Sequence, residues 1–416
     1  MGSTPPLIIQ LGCYSSFIIP HSTFKFMETQ SSAVALSVAK GVDAVKLERE
    51  LAAMWAEMGA GAQEAAAASS PSAGVTRACA LNLVVYSERQ EERAEVDALL
   101  EEVVERHPCR SIVLYADRGA EEARLEAYVS TRCQLASRGA KRICGEQVTI
   151  EAGGPIVQTL STAVSPLLVP DVPVFLWWKD IPHYDDKLFN RLAQLSDRVV
   201  IDSASFDNPH DDMVRLAQIV EKSAGRMRLS DLNWGRLTTW RSLVASFWDV
   251  ADYRASLDKI ERVVIEYDRP DKSPDEVSPK ALLAVGWLGT QLGWEAAPEG
   301  HRVGKRAARF AMSAAGRPVV ADLSGTDDTK GRDGFIISLT LQCADGNEFF
   351  VRLRPIGAKL ETGARTGGEH TVGRVLDFEA RSEGRRLSAE LDILTRDRVF
   401  EEAAGFAARL LEAAKR

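Results

Sequence analysis

The sequence predicts an α/β protein, with a mixed central sheet flanked by helices and a smaller α+β C-terminal domain after it. Three observations carry this prediction. Between residues 77 and 258, short strand-like runs alternate with amphipathic helical stretches, which is the pattern of packed sheet-and-helix layers. The run VPVFLWW (172–178) is apolar throughout, as a central strand covered on both faces should be. Beyond residue 259, paired strand runs flank a turn dipeptide and a helix closes the chain. At 416 residues the chain calls for about two or three domains. We divide it into a variable N-terminal segment (1–76), an α/β domain (77–258) and a C-terminal α+β domain (259–416).

In the first segment, residues 1–26 lack the basic start of a signal peptide and are too interrupted to span a bilayer. Met27, followed by polar ETQSS, is expected to be a start site. Residues 42–58 place Val45, Leu47, Leu51, Met54, Trp55 and Met58 near helical spacing, and the small residues of 59–76 read as a flexible linker.

The α/β domain opens with RACALNLVVY and SIVLYA as strands around a charged helix that turns Val96, Leu99, Leu100 and Val103 inward, a βαβ unit. Residues 123–132 alternate strictly and read as an antiparallel strand, with 146–152 continuing the sheet. After 172–178 come a short helix from Tyr184 and a strand at 198–204. Asn208, Pro209, Asp211 and Asp212 then make a strong helix start. LSDLNWGRLTTWRSLVASFWD (229–249) reads as one helix with Leu237, Trp240, Val244 and Phe247 on one face.

In the C-terminal domain, 260–267 is a strand and 278–294 a buried helix, apolar nearly all round. Gly286, Gly289 and Gly293 on one side of that helix would let another backbone approach. Ala344-Asp345-Gly346-Asn347 marks a hairpin. Further strands are expected near 318–325, 372–378 and 387–394, a mobile loop at 361–370, and a final amphipathic helix to the C-terminus.

Composition narrows the function. With 45% hydrophobic and 26% charged residues the chain is a globular, water-soluble type, for which a cytoplasmic location is expected. A formal charge of −8 argues against nucleic acid or an anionic membrane as the main partner. The six Cys show no C-x-x-C spacing, so no metal site is expected, and those between Cys79 and Cys144 read as buried reduced thiols. No nucleophile elbow, zinc signature or complete P-loop occurs, and the six His are scattered. Neither catalytic residues nor a cofactor are assigned.

Aromatic density is the remaining signal, since five of eight Trp fall between Trp177 and Trp248. At the carboxyl end of the 172–178 strand, Trp177 and Trp178 should face opposite sides, followed by Lys179 and Asp180. Either both indoles pack in the core or one anchors a partner. Asn233, Trp234, Arg236 and Arg241 are further candidates for partner binding. A competing reading has Arg236 or Arg241 hold a phosphate in a crevice at the strand ends, in a sugar-phosphate-binding protein or an enzyme.

The strings RACALNLVVY, HPCRSIVLYAD, CQLASRGAKRICGEQVTIEAGG, SPLLVPDVPVFLWWKD, LSDRVVIDSASF and LSDLNWGRLTTWRSLVASFWD, in order from about 77 to 250, resemble the glucose-6-phosphate dehydrogenase assembly protein (OpcA) family. The resemblance implies a non-catalytic, allosteric partner of glucose-6-phosphate dehydrogenase. Such a partner would promote the active oligomer and so support the pentose phosphate pathway and NADPH supply. It also suggests Cys109, Cys133 and Cys144 as redox candidates.

Overall fold

The computed structural model describes residues 43–69, 75–133, 142–223, 225–327, 334–354, 359–378 and 382–416. The Met27 start lies outside them. Of the first segment, helix α1 (Ala44–Ser69) is described. It buries Leu47, Leu51 and Met54, and Trp55 donates to the buried Glu146 carboxylate at 2.6 Å. The expected linker at 59–76 is therefore corrected in its first half. Alanine-rich AQEAAAAS has the highest intrinsic helix propensity and carries the helix through Gly59 and Gly61.

The first sheet is built from β1 (Val75–Arg77), β2 (Leu81–Ser87), β3 (Cys109–Asp117), β4 (Arg124–Cys133), β5 (Arg142–Gly153), β6 (Val174–Trp178), β7 (Arg198–Ile201) and β8 (Leu229–Asp231). Its order is β1-β5-β3-β2-β6-β7-β8, with β4 added antiparallel to β5 and every other pairing parallel. Chain order runs outward from β2 through β3 to β5, then returns to β6 on the other side. The topology therefore switches direction between β2 and β6. All seven residues of β2 and all five of β6 are buried, because helices cover both faces. β4 keeps the predicted alternation, with Leu125, Ala127, Val129 and Thr131 buried.

Helix α2 (Arg93–Arg106) buries the expected Val96, Leu99, Leu100 and Val103, and Val104 besides. Short α3 (Leu160–Val164) precedes β6. Asp186 caps α4 (Lys187–Gln194) by accepting from the N–H groups of Leu188 and Phe189. α5 (Pro209–Ser223) starts where the Asn-Pro signal places it.

The stretch 229–249 is a correction: its first residues form β8, and α6 (Leu232–Arg236) and α7 (Thr238–Ala245) follow. Asp231 ends the strand and caps α6 by accepting from Asn233 N–H, which sets the helix start three residues later than periodicity suggests. α8 (Arg254–Leu257) leads to the second sheet.

That sheet comprises β9 (Ile260–Asp268), β10 (Glu295–Ala296), β11 (Arg302–Gly304), β12 (Ala307–Ala314), β13 (Arg317–Thr326), β14 (Ile336–Cys343), β15 (Glu348–Leu353), β16 (Lys359–Thr366) and β17 (Glu369–Asp377), in the order β10-β12-β13-β9-β14-β15-β16-β17 with β11 beside β12. The predicted hairpin joins β14 and β15, with Gly346 at φ +80°. The loop expected at 361–370 is instead the β16–β17 hairpin, turning at Gly367 and Gly368. Gly363 lets the Phe350 ring lie against its backbone, and buried Glu361 pairs with Arg352 and Arg354 across the strands.

Helix α9 (Pro279–Gln291) is buried along most of its length. A Cβ on Gly286 would stand 2.1 Å from the Ala403 carbonyl oxygen, and one on Gly289 would meet the Phe406 ring. Both belong to α11 (Arg398–Ala414). Gly293 does not share this role; it faces open space at φ +64° and ends the helix. The strand expected at 387–394 is corrected to helix α10 (Glu383–Leu391), which Ser382 caps and α2 covers. α11 also packs on α5, so the C-terminal helices return to the first sheet and one continuous hydrophobic core spans both sheets. No helix among the described residues is long and apolar enough to cross a membrane.

Candidate functional site

Parallel sheets gather loops at the carboxyl ends of their strands, and ligands bind where the strand order reverses. Here that point is the crevice between β2 and β6. A cleft of about 550 Å³ opens there, walled by residues after β2, β6 and β7 on one side, and on the other by Lys272 after β9, Lys280 on α9, Phe335 and α10.

The loops of the crevice are tied together. Asp180, after β6, accepts from the Glu88 backbone N–H after β2 at 2.7 Å, and burial pushes its carboxyl up to about 6. Arg118 bridges Glu88 at 2.6 Å and Asp186 at 2.7 Å, and reaches the Tyr86 hydroxyl at 3.0 Å. Lys179 pairs with Glu92 at 2.9 Å and stands over the Trp177 ring.

Deeper in, Arg236 grips Asp202 through both guanidinium nitrogens, at 2.6 and 2.7 Å, and reaches Glu383 at 3.1 Å. Burial raises the Asp202 carboxyl, but the Arg236 charge outweighs that and holds it below its ordinary value. Asp231 lies beneath. It accepts from Ser203 N–H and Asn233 N–H, each at 2.9 Å, and from the Ser203 hydroxyl at 2.6 Å. Burial, reinforced by the neighbouring Asp202 charge, pushes its carboxyl up to about 7.

The residues singled out by sequence divide three ways. Trp177, Lys179 and Arg236 meet in the cleft lining, and Asp180 ties its loops. Trp178 is 1% exposed, stacked at 3.8 Å on Tyr86 with Phe189 at its edge. Asn233 and Trp234 are also buried, and Trp234 donates to Asp397 at 2.9 Å. As folded, these three lie in the interior, the core alternative of the two readings. The cause is that helices cover both sheet faces, and α9 and α10 pack on α6. Arg241 is spent inside the molecule: its guanidinium lies 3.6 Å from the centre of the Trp234 ring, and burial lowers its pKa to about 10.

Among the cysteines, Cys109 is free and buried, with its thiol pushed up to about 12, so the thiolate is disfavoured. Cys144 is disulfide-bonded, against the expectation of a reduced thiol. Position 133 is its register partner across β4 and β5, with a side chain outside the described residues; eleven residues apart in sequence, the two positions meet only through strand pairing.

Sequence reasoning missed Asp202, Asp231, Lys272, Lys280, Glu383 and Arg386. Only the Asp-x-Asn start of α6 carried any signal for one of them.

Two adjacent family models match the chain. One is described as the glucose-6-phosphate dehydrogenase subunit N-terminal domain, over residues 100–218, and the other as the C-terminal domain of the same subunit, over 227–404. The chain belongs to the OpcA family. An OpcA relative from Nostoc punctiforme, provisionally named an OxPP cycle protein, is 35% identical over 198 residues, which is 47% of this chain and 40% of the relative. The namesake from Synechocystis is 28% identical over 252 residues, covering 59% and 51%. This OpcA-family chain thus spans about half the length of the curated relatives it matches, or less.

A 3-ketoreductase from Actinomadura kijaniata overlays at a TM-score of 0.47 and 10% identity, covering 80% of this chain and 96% of that one. Levoglucosan dehydrogenase overlays at 0.46 and 9%, covering 81% and 97%. Both are too distant to bear on the chemistry of this OpcA-family chain.

Proposed function

We propose that this protein is a non-catalytic partner of glucose-6-phosphate dehydrogenase, promoting its assembled, active form and so supporting NADPH supply by the oxidative pentose phosphate route. The observation that carries the reading is the pair of adjacent family models, each described as part of a subunit of that dehydrogenase.

The crevice chemistry supports it. A dinucleotide enzyme on a parallel sheet needs glycines in the first strand-to-helix turn, so that the pyrophosphate can approach the backbone. Here that turn is Ser87-Glu88-Arg89-Gln90-Glu91-Glu92, carboxylate-rich and laced to Arg118 and Lys179. That turn holds no glycine, so a pyrophosphate could not come up to its backbone.

A partner of this kind acts by binding the active oligomer more tightly than the inactive form, and shifts the population by that differential affinity. The buried indoles of Trp178 and Trp234 serve the fold, so docking uses other surface. The deciding experiment assays the dehydrogenase for NADPH production with and without this protein, alongside size-exclusion chromatography of the mixture. Raised activity together with co-elution in a larger species is expected. Unchanged kinetics and separate elution at molar excess would end the proposal. Production of NADPH by the isolated chain would replace it with an enzymatic role.

A further inference from the structure

The cleft at the β2–β6 switch point has a chemical character that dehydrogenase docking does not explain. In a chain of formal charge −8, its described lining carries a surplus of cations: Arg89, Lys179, Arg236, Lys272, Lys280 and Arg386 stand against the carboxylates Glu92, Glu95, Asp202 and Glu383. Arg89 and Lys179 come from loops of the first sheet, Lys272 and Lys280 from the second sheet and its helix α9, and Arg386 from α10. A concave, low-dielectric wall concentrates such a field and draws in anions.

Lys280 is 2% exposed in the first turn of α9, with its ammonium 3.9 Å from the centre of the Phe335 ring. Its charge is felt by the neighbouring Asp202 carboxylate, which it helps to hold down. Lys272, by contrast, is exposed at the mouth.

Carboxylates and rings complete the lining. Glu95 and Glu383 are more than 40% exposed in their side chains, so each can accept hydrogen bonds from ligand hydroxyls. Phe335 and Trp177 present apolar walls, and the buried Trp177 indole N–H meets no acceptor among the described residues. Cations for phosphate, carboxylates for hydroxyls, flat rings for C–H surface and one unmet donor together describe a single class of ligand. A dinucleotide does not fit, because the turn after β2 bears carboxylates where a pyrophosphate would need backbone.

We propose that this cleft binds a phosphorylated sugar, with the phosphate toward Lys272 and Arg386 and the hydroxyls toward Glu95 and Glu383. A volume of about 550 Å³ suits a ligand of that size.

The test is isothermal titration calorimetry on the full chain without any dehydrogenase, so its outcome is independent of the docking proposal. Glucose 6-phosphate is the probe, with glucose, inorganic phosphate and AMP as comparisons. Glucose 6-phosphate should bind, glucose should give no heat, and inorganic phosphate should bind at least about tenfold more weakly, since it lacks the hydroxyl contacts. Lys272→Glu should weaken the sugar phosphate by about tenfold or more at an unchanged circular dichroism spectrum, and Lys272→Arg should retain it. Arg386→Gln gives a second variant on the opposite wall with the same expected direction. Absence of heat with glucose 6-phosphate, tighter binding of AMP, or full affinity in Lys272→Glu would each overturn the proposal.

Discussion

Trp178 illustrates how a residue that looks like an interface anchor becomes a structural one. Its indole is held between Tyr86 on β2 and Phe189 on α4, in the layer where helices cover the parallel sheet. Trp178→Ala removes a large buried ring and should cost about 3–5 kcal/mol of stability, measured by urea unfolding. A loss below about 1 kcal/mol would mean that the stack is not formed as described.

Asp231 makes a second prediction. Its folded carboxyl, near 7, is raised from an ordinary 3.8, so the native state holds the proton more tightly than the unfolded chain does. That contribution is full below the ordinary value and is lost as pH rises through about 7. Asp231→Asn, which mimics the protonated group, should therefore gain in Tm relative to the parent between about pH 4 and 8. A constant difference across that range would refute the assignment. Neither Asp231 nor Asp202 stands out in the sequence, because burial and the 34-residue reach from Asp202 to Arg236 are facts of the fold.

At the scale of elements, the α9–α11 contact rests on absent side chains. Gly286→Ala would set a methyl group against the Ala403 carbonyl and force the helices apart, at a cost of about 1–3 kcal/mol in denaturant unfolding. An unchanged midpoint would show that the helices have room to spare.

The approach of another backbone at Gly286 was legible from the glycine spacing, though not which helix would supply it. Most elements could be placed the same way, by period-2 runs, by the Asn208-Pro209 helix start, and by the Asp-Gly turn. The misreadings share one cause. Leu387, Ala389, Leu391 and Ile393 alternate as in a strand, but Leu387 and Leu391 also lie one helical turn apart. Packing against α2 chose the helix and left Ile393 and Leu394 exposed. Likewise, polar Gly-rich 361–370 is a hairpin because Phe350 lies over Gly363 and two arginines neutralise Glu361. Each outcome was decided by a neighbour distant in sequence.

For the molecule as a whole, two sheets share one continuous core because the last helices of the chain return to the first. That return brings Glu383 and Arg386 to face Arg89 and Lys179 across about 200 to 300 residues of sequence, and so creates the cleft. The sequence by itself determined the α/β class, the buried central strand at 172–178, the βαβ opening, the β14–β15 hairpin and the family. All of these are written in local periodicity, turn chemistry and characteristic strings. The tertiary structure alone decided that the indoles are interior, that Arg241 is spent on Trp234, and that cations from both sheets line one cleft. The physical reason is that charge pairing, desolvation and the meeting of two walls depend on distances in space, which residues far apart in the chain acquire only when the core closes.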